Sequence, residues 1–437
     1  MNYLQLIVPI LLVILGTMSA NGATWSVPGD YTTLSNAVAG ASDGDTIVLN
    51  SSVWTECGIV VSKTLTIQGL GMTNTILQGA TTRSNAVNRI FQMNNAAKSL
   101  TIQNMTLQYG YCASATAYAY GGAAIYNNAG TVTVQSCVIQ MNDSYLTNLP
   151  SGGGALAQYP SAGNRLVVSN CIVVNNTLGP TNLTTMTGGA LCFGNGSLLI
   201  DSSYFAGNSA PGHGGAISVA NSTNQFLIQN STFYGNRSFY SGSQGGAINF
   251  TSLTSLTGQI YNCTIFSNVA AYGGGINANP SATLQIVSSI IASNRNLTGA
   301  SSEYWGGAYI ILSNSLVQGT GSGTLKGDSG NIKGQSPQLN PPSYNGGWTP
   351  TMAFQTNSPC LNTGANPLNL AYDQRGVGFP RVRGVAADIG AYEFGTGLLT
   401  YSRTIFTEKE PDNIGTIDNS TPLLITLVGD TFTGTDG

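Results

Sequence analysis

Side chains able to move protons or hold ions are scarce in this chain, and their placement bounds its chemistry. Only 7% of the 437 residues are Asp, Glu, Lys or Arg, there is one histidine, and the net charge is −3. Between Leu100 and Ala300 the charged residues are Asp143, Arg165, Asp201, Arg237 and Arg295. Hydrolysis of a glycosidic bond needs two carboxyl groups facing one site, roughly 5–10 Å apart. Asp143 and Asp201 are the available pair. Asp143 follows a turn Asn, whereas Asp201 sits between Ile200 and Ser202 in the outward phase of a strand, so the two belong on different sides of the molecule. β-Elimination on an acidic polysaccharide would call for clustered carboxylates around calcium and a Lys or Arg base, and the sequence holds no such cluster. His213 stands between Gly212 and Gly214 without an acidic partner nearby, and it reads as the lead-in to a turn. The seven cysteines (57, 112, 137, 171, 192, 263 and 360) contain no C-x-x-C pair, which argues against zinc. No residue is singled out as catalytic, cofactor-binding or metal-ligating.

The elements that would position these groups come from a repeat. A Gly-Gly-small-aliphatic pattern begins at Gly121, Gly153, Gly188, Gly214, Gly245, Gly273 and Gly306, at spacings of 26 to 35 residues. A second pattern runs in phase with it: two apolar residues two apart, a small residue, another apolar residue, then Asn. Leu198, Ile200, Ser203, Phe205 and Asn208 form one copy, and Phe226, Ile228, Ser231, Phe233 and Asn236 the next. Eight such rungs fall between Leu100 and Val317. Alternation of period two is strand patterning, and a fixed period near 30 residues marks units that bury their apolar faces only by stacking. The expected fold is all-β: a right-handed parallel β-helix with a short N-terminal capping helix over residues 34–41 and a C-terminal cap. Small residues at the Gly-Gly-Ala column allow a tight bend on every coil. The recurrent Asn is expected to adopt a left-handed turn conformation and to bond to its copies above and below. Cys137, Cys171 and Cys263 fall where other rungs carry Ser, which predicts small buried thiols. A Cys137–Cys171 bridge between successive rungs is the alternative.

Three stretches carry family resemblances. YTTLSNAVAGASDGDTIVL followed by VSKTLTIQG resembles the opening of pectin-lyase-fold β-helix proteins. The GGAI sites with FAGN (205–208) and FYGN (233–236) resemble the repeats of polymorphic outer-membrane proteins. The tail, with NGGWTPT, SPCLNTG, DQRG at 373–376 and DIGAYEF ending at Phe394, is similar to bacterial choice-of-anchor Q domain proteins. The resemblance spans roughly residues 24–395 and implies an exported β-helix protein. It does not imply an activity. Gly212-His213-Gly214 resembles the GHG triplet of polygalacturonases, but that family's N-x-D, Asp-pair and R-x-K motifs are missing. Within the tail, Asp373, Arg375, Arg381, Arg383, Asp388 and Glu393 concentrate charge that is rare elsewhere. Mutual salt links in a C-terminal cap are the first reading, and a cation or ligand site the second.

Residues 1–22 read as a secretory leader, with an apolar run over residues 4–15 leading into small residues. Residues 23–317 are expected to form the β-helix, 318–395 the tail, and 396–437 a linker and the start of a further β-rich surface repeat. The absence of a basic patch sets nucleic acid aside as a partner. The expectation is an exported, surface-displayed and monomeric rod, with no integral membrane span after leader cleavage. It would be adhesin-like or a stalk, binding glycans or cell-surface proteins without cofactor, metal or turnover. A polysaccharide lyase or glycoside hydrolase of the pectin-lyase fold is the alternative.

Overall fold

The computed structural model describes residues 22–114, 121–146, 152–159, 161–179, 187–220, 226–251, 257–278 and 283–395. All but the last residue of the expected leader, and the whole of 396–437, lie outside them. The described chain is an all-β parallel solenoid. Among the described residues, helix is confined to α1 (Leu34–Gly40) and two 3-10 turns, Arg83–Asn85 and Gly307–Tyr309.

Each coil supplies strands to parallel columns, and alternation buries every second side chain. In the first column Ile125, Leu156, Leu191, Ile217, Ile248 and Ile276 stack in register. In the second the stack is Ile102, Val134, Val168, Ile200, Ile228, Ile260, Ile286 and Leu312. In the third it is Leu107, Ile139, Val173, Phe205, Phe233, Ile265, Ile291 and Val317. These are the eight rungs expected from the sequence, and their side chains fill one continuous core. A smaller sheet, comprising Tyr111–Ser114, Asp143–Leu146, Thr177–Gly179, Ser209–Ala210 and Arg237–Ser238, runs beside the third column.

Two left-handed turns per coil connect these columns. Between columns two and three the turn residue is Asn104, Ser136, Asn170, Ser202, Asn230, Asn262, Ser288 or Asn314, with φ between 44° and 57°. After column three it is Tyr109, Met141, Asn175, Gly207, Gly235, Ser267 or Ser293. The expected left-handed Asn is therefore displaced by one residue. The turn residue points outward, and Asn, Ser and Gly predominate there, as a positive φ favours. The column Asn that follows points inward and is needed for its amide. Asn142, Asn176, Asn208, Asn236, Asn268 and Asn294 are buried, and each of the first five donates Nδ2–H to the next Oδ1 at 2.9–3.0 Å. The same Oδ1 atoms accept the preceding column residue's backbone N–H at 2.9–3.1 Å.

The Gly-Gly column is a close backbone approach. A Cβ at Gly189, Gly215 or Gly246 would lie 2.0–2.2 Å from the carbonyl oxygen of the next coil. The seventh pair does not join this column. A turn closed by Asn296 N–H to the Ala300 carbonyl at 2.8 Å leads into the last coil. Ile276 then pairs with Tyr304, and Asn277 with Trp305. Ser302 and Glu303 thus stand where earlier coils have Gly and Ala, and Gly306 starts the 3-10 turn Gly307–Tyr309 instead.

At the other end α1 lays Leu34, Ala37 and Val38 over the first coils. Thr33 Oγ1 accepts the Asn36 N–H at its start, and Lys63 Nζ donates to the carbonyls of Val38, Ala39 and Ala41 at its end. A cation on the last turn of a helix opposes the partial negative charge there. Among the described residues no helix is long and apolar enough to cross a membrane.

The tail docks along the flank of the solenoid. Phe354, Cys360, Ile389 and Tyr392 pack on Ile290, Ala292 and Leu316. The outward turn residues serve as its landing strip. Asn230 Nδ2 donates to the Tyr372 carbonyl at 2.8 Å, Asn262 Nδ2 to the Ala365 carbonyl at 2.9 Å, and Ala365 N–H to Ser288 Oγ at 2.9 Å. Further back, Thr349 Oγ1 donates to the Ser202 carbonyl at 3.1 Å. The C-terminal cap is thus lateral, spanning the coils from Ser202 to Leu316.

Candidate functional site

The three residues with acid–base potential are each held in the architecture. Asp143 lies in the small sheet, paired in register with Tyr111 and Thr177. Its Oδ2 accepts from Arg83 Nε at 2.6 Å, and Arg83 Nη2 also donates to Thr177 Oγ1 at 3.0 Å. Asp201 ends the column-two strand Ser197–Asp201, in register with Ser169 and Gln229. Burial pushes its carboxyl up from the ordinary range, partly offset by hydrogen bonds from the Gln229 and Ser202 side chains. The two aspartates lie on different sheets, as their phases in the repeat predict. His213 bridges to Thr187, and its Nδ1 accepts the Gln244 backbone N–H at 3.1 Å. Burial pushes its pKa down, favouring the neutral ring that this acceptor role needs.

All seven cysteines are free thiols, so no Cys137–Cys171 bridge forms. Burial raises Cys171 and Cys263 to about 12, and such thiols are inert rather than nucleophilic. They act as serines do in the same column: Cys171 Sγ donates to the Ser169 carbonyl at 3.1 Å, as Ser203 Oγ does to the Asp201 carbonyl at 2.7 Å.

The tail charges hold one another. Arg375 pairs with Asp373 at 2.7 Å and lies between the rings of Phe379 and Tyr392, 4.1 and 3.9 Å from their centroids. Arg381 is fully buried. It pairs with Glu393 at 2.9 Å and donates to the carbonyls of Asp388, Gly390 and Tyr392. Asp388 Oδ1 accepts the Asn362 N–H at 2.6 Å and its Oδ2 the Phe394 N–H at 2.6 Å. Among the described residues no three His, Cys, Asp or Glu side chains come together as a metal site.

The site that sequence reasoning missed lies at the irregular last coil. Tyr272 and Trp305 are 41% and 37% exposed, and their rings stand 4.7 Å apart at 50°. They border an open groove of about 290 Å³ whose lining includes Asn296, Ser301, Ser302, Tyr304 and Thr320. Tyr272 immediately precedes a Gly-Gly pair, in the position that His213 and Gln244 hold on earlier coils. Its neighbour Trp305 is brought in by its pairing with Asn277. Behind the groove Glu303 ends the Asn ladder: its Oε2 accepts from Asn294 Nδ2 at 2.7 Å and from the Asn294 N–H at 3.2 Å. Burial raises its carboxyl to about 7, against the hydrogen bonds that favour the charge.

Comparison with known proteins gives only distant likenesses to solved structures. The chain is similar to the crystal structure of pectate lyase Pel9A, with 13% identity and a TM-score of 0.49, covering 85% of this chain and 96% of that one. The alginate lyase AlyGC, of family PL6, aligns with 12% identity and a TM-score of 0.27, covering 76% of this chain and 55% of that one. No protein-family model matches the chain, and no curated protein matches it. The parallel β-solenoid itself rests on the strand pairing described above.

Proposed function

We propose that this chain is an exported, surface-displayed β-helix rod that binds glycan or protein partners without cleaving them. The observation that carries the reading is the commitment of Asp143, Asp201 and His213 to separate structural contacts. Asp143 is forked by Arg83, Asp201 is on another sheet, and His213 accepts a main-chain N–H. A hydrolase or lyase needs such groups converged on one substrate atom. Export accords with the apolar leader-like segment at residues 4–15, and the DQRG and DIGAYEF tail accords with a choice-of-anchor Q protein. In this reading the rod is monomeric, and the tail is a structural clasp on its flank.

The test is incubation of the full chain with pectin, polygalacturonate, alginate and neutral β-glucans, with and without calcium. The expected result is no new reducing ends and no unsaturated uronate absorbance. Depolymerisation that disappears in Asp143→Asn, Asp201→Asn or His213→Ala would replace this reading with the lyase or hydrolase alternative.

A further inference from the structure

The groove at the last coil has the composition of a saccharide subsite. Its two exposed rings form an inclined apolar platform, and such surfaces are worth most when a ligand presents an apolar face and a polar rim together. Among the described residues, the Trp305 indole N–H, the Tyr272 and Tyr304 hydroxyls and the Asn296 amide N–H group have no protein hydrogen-bond partner. Other polar groups in the lining are already fixed: Ser302 Oγ accepts the Gly273 N–H at 3.1 Å, and Ser301 Oγ accepts the Thr320 N–H at 3.0 Å. Fixed hydroxyls beside free donors make a rigid, partly satisfied rim.

The lining carries no carboxylate, ammonium or guanidinium. Glu303 is sealed behind it at 1% exposure. The cation near Tyr304, Lys333, is already paired with Asp328, so an anionic sugar would find no unpaired cation in the lining. A peptide adding as a strand would find no free edge, since Ser322 N–H already bonds the Tyr304 carbonyl at 3.0 Å and Glu303 N–H the Thr320 carbonyl at 2.7 Å.

We propose that the Tyr272–Trp305 groove binds a short stretch of an uncharged polysaccharide, one pyranose face lying on the rings and its hydroxyls meeting Trp305, Tyr304 and Asn296. This inference rests on the binding reading above and names the site and ligand class for it.

The test titrates the full chain with cellohexaose, xylohexaose and mannohexaose by calorimetry, with hexagalacturonate as the charged probe. At least one neutral hexasaccharide is expected to bind with affinity unchanged between low and high salt. Trp305→Ala and Tyr272→Ala should each weaken it at least 10-fold, while Tyr344→Ala, exposed on the tail, should not. Oxidative footprinting of the unsubstituted chain, in which bound sugar should protect Trp305 several-fold, gives the answer even if a variant misfolds. Neutral binding that ignores both substitutions and leaves Trp305 unprotected would refute this site and leave the binding reading intact. Binding of hexagalacturonate alone would refute the ligand class. Binding of none of the four would refute the groove as a saccharide site and leave only the protein-binding arm of the proposed function standing.

Discussion

Glu303 is the residue at which a regular ladder meets an irregular end. Each Asn amide both accepts and donates, so a stack of them is directional and must stop on a group that only accepts. A carboxylate does this, but burial charges a penalty that raises its pKa to about 7. The folded state therefore holds the proton more tightly than the unfolded chain, in which Glu titrates near 4.5. Stability from this group is complete below about pH 4.5 and is lost as pH rises through about 7. The loss amounts to about 3 kcal/mol at most. In Glu303→Gln that component of the pH slope should vanish, whatever the absolute stability of the variant. Urea midpoints at half-unit steps from pH 4.5 to 8 give the slope, and an unchanged slope in the variant would exclude Glu303 as its source.

At the scale of the element, the inward column positions divide into replaceable and irreplaceable ones. Cys263 donates Sγ–H to the Tyr261 carbonyl at 3.2 Å, and its N–H goes to Ser289 Oγ at 3.1 Å. Serine makes the same bonds on neighbouring coils, so Cys263→Ser should cost less than about 1.5 kcal/mol. Asn236 is different. Its Oδ1 accepts both the N–H and the Nδ2–H of Asn208, while its Nδ2 serves the Phe205 carbonyl and Asn268 Oδ1. Alanine there orphans buried groups on two coils and should cost at least about 2 kcal/mol. Exposed Asn74→Ala should be close to neutral. Chemical denaturation of the three variants checks the ranking, and equal losses at Asn236 and Asn74 would contradict the ladder.

The columns were legible in the sequence because a buried position in a stacked coil recurs with its neighbour's chemistry. Ile200, Ser203, Phe205 and Asn208 announce Ile228, Ser231, Phe233 and Asn236. What escaped is what does not repeat. Gly306-Gly307 carries the motif but not the register, because strand pairing starts at Tyr304, ahead of the pair. The landing strip escaped too, since nothing in the repeat singles out Ser202, Asn230, Asn262 and Ser288 until a tail is laid over them. Trp305 is a platform only because pairing starts at Tyr304, ahead of the Gly-Gly motif.

For the molecule as a whole, the flank is joined by a second, small core with its own buried charges. Arg381 is central to it, and removing one partner of a buried ion pair typically costs about 3–5 kcal/mol. Arg381→Met should free residues 334–395 from the rod while the coils keep their pairing, because the solenoid core is contiguous without the tail. Hydrogen exchange read by mass spectrometry should show the Gly390 and Ala391 amides losing protection and those of Asn208 and Asn236 keeping it. Concerted loss over both regions would mean the clasp and the coils form one cooperative unit.

The lateral course of the tail also decides how force enters the molecule. Gly395 leaves beside Arg375, which donates to its carbonyl at 3.2 Å, and the adjoining Gln374 is fastened to Thr232 at 2.6 Å. Thr232–Tyr234 stands near the middle of column three, roughly 20–30 Å from either tip at one strand spacing per coil. A pull on the sequence beyond 395 therefore loads the rod at mid-length, like a crossbar hung from its centre. Tension would peel the Arg375 and Arg381 contacts one after another before it sheared any coil, so the clasp would yield first and the stacked core would be spared.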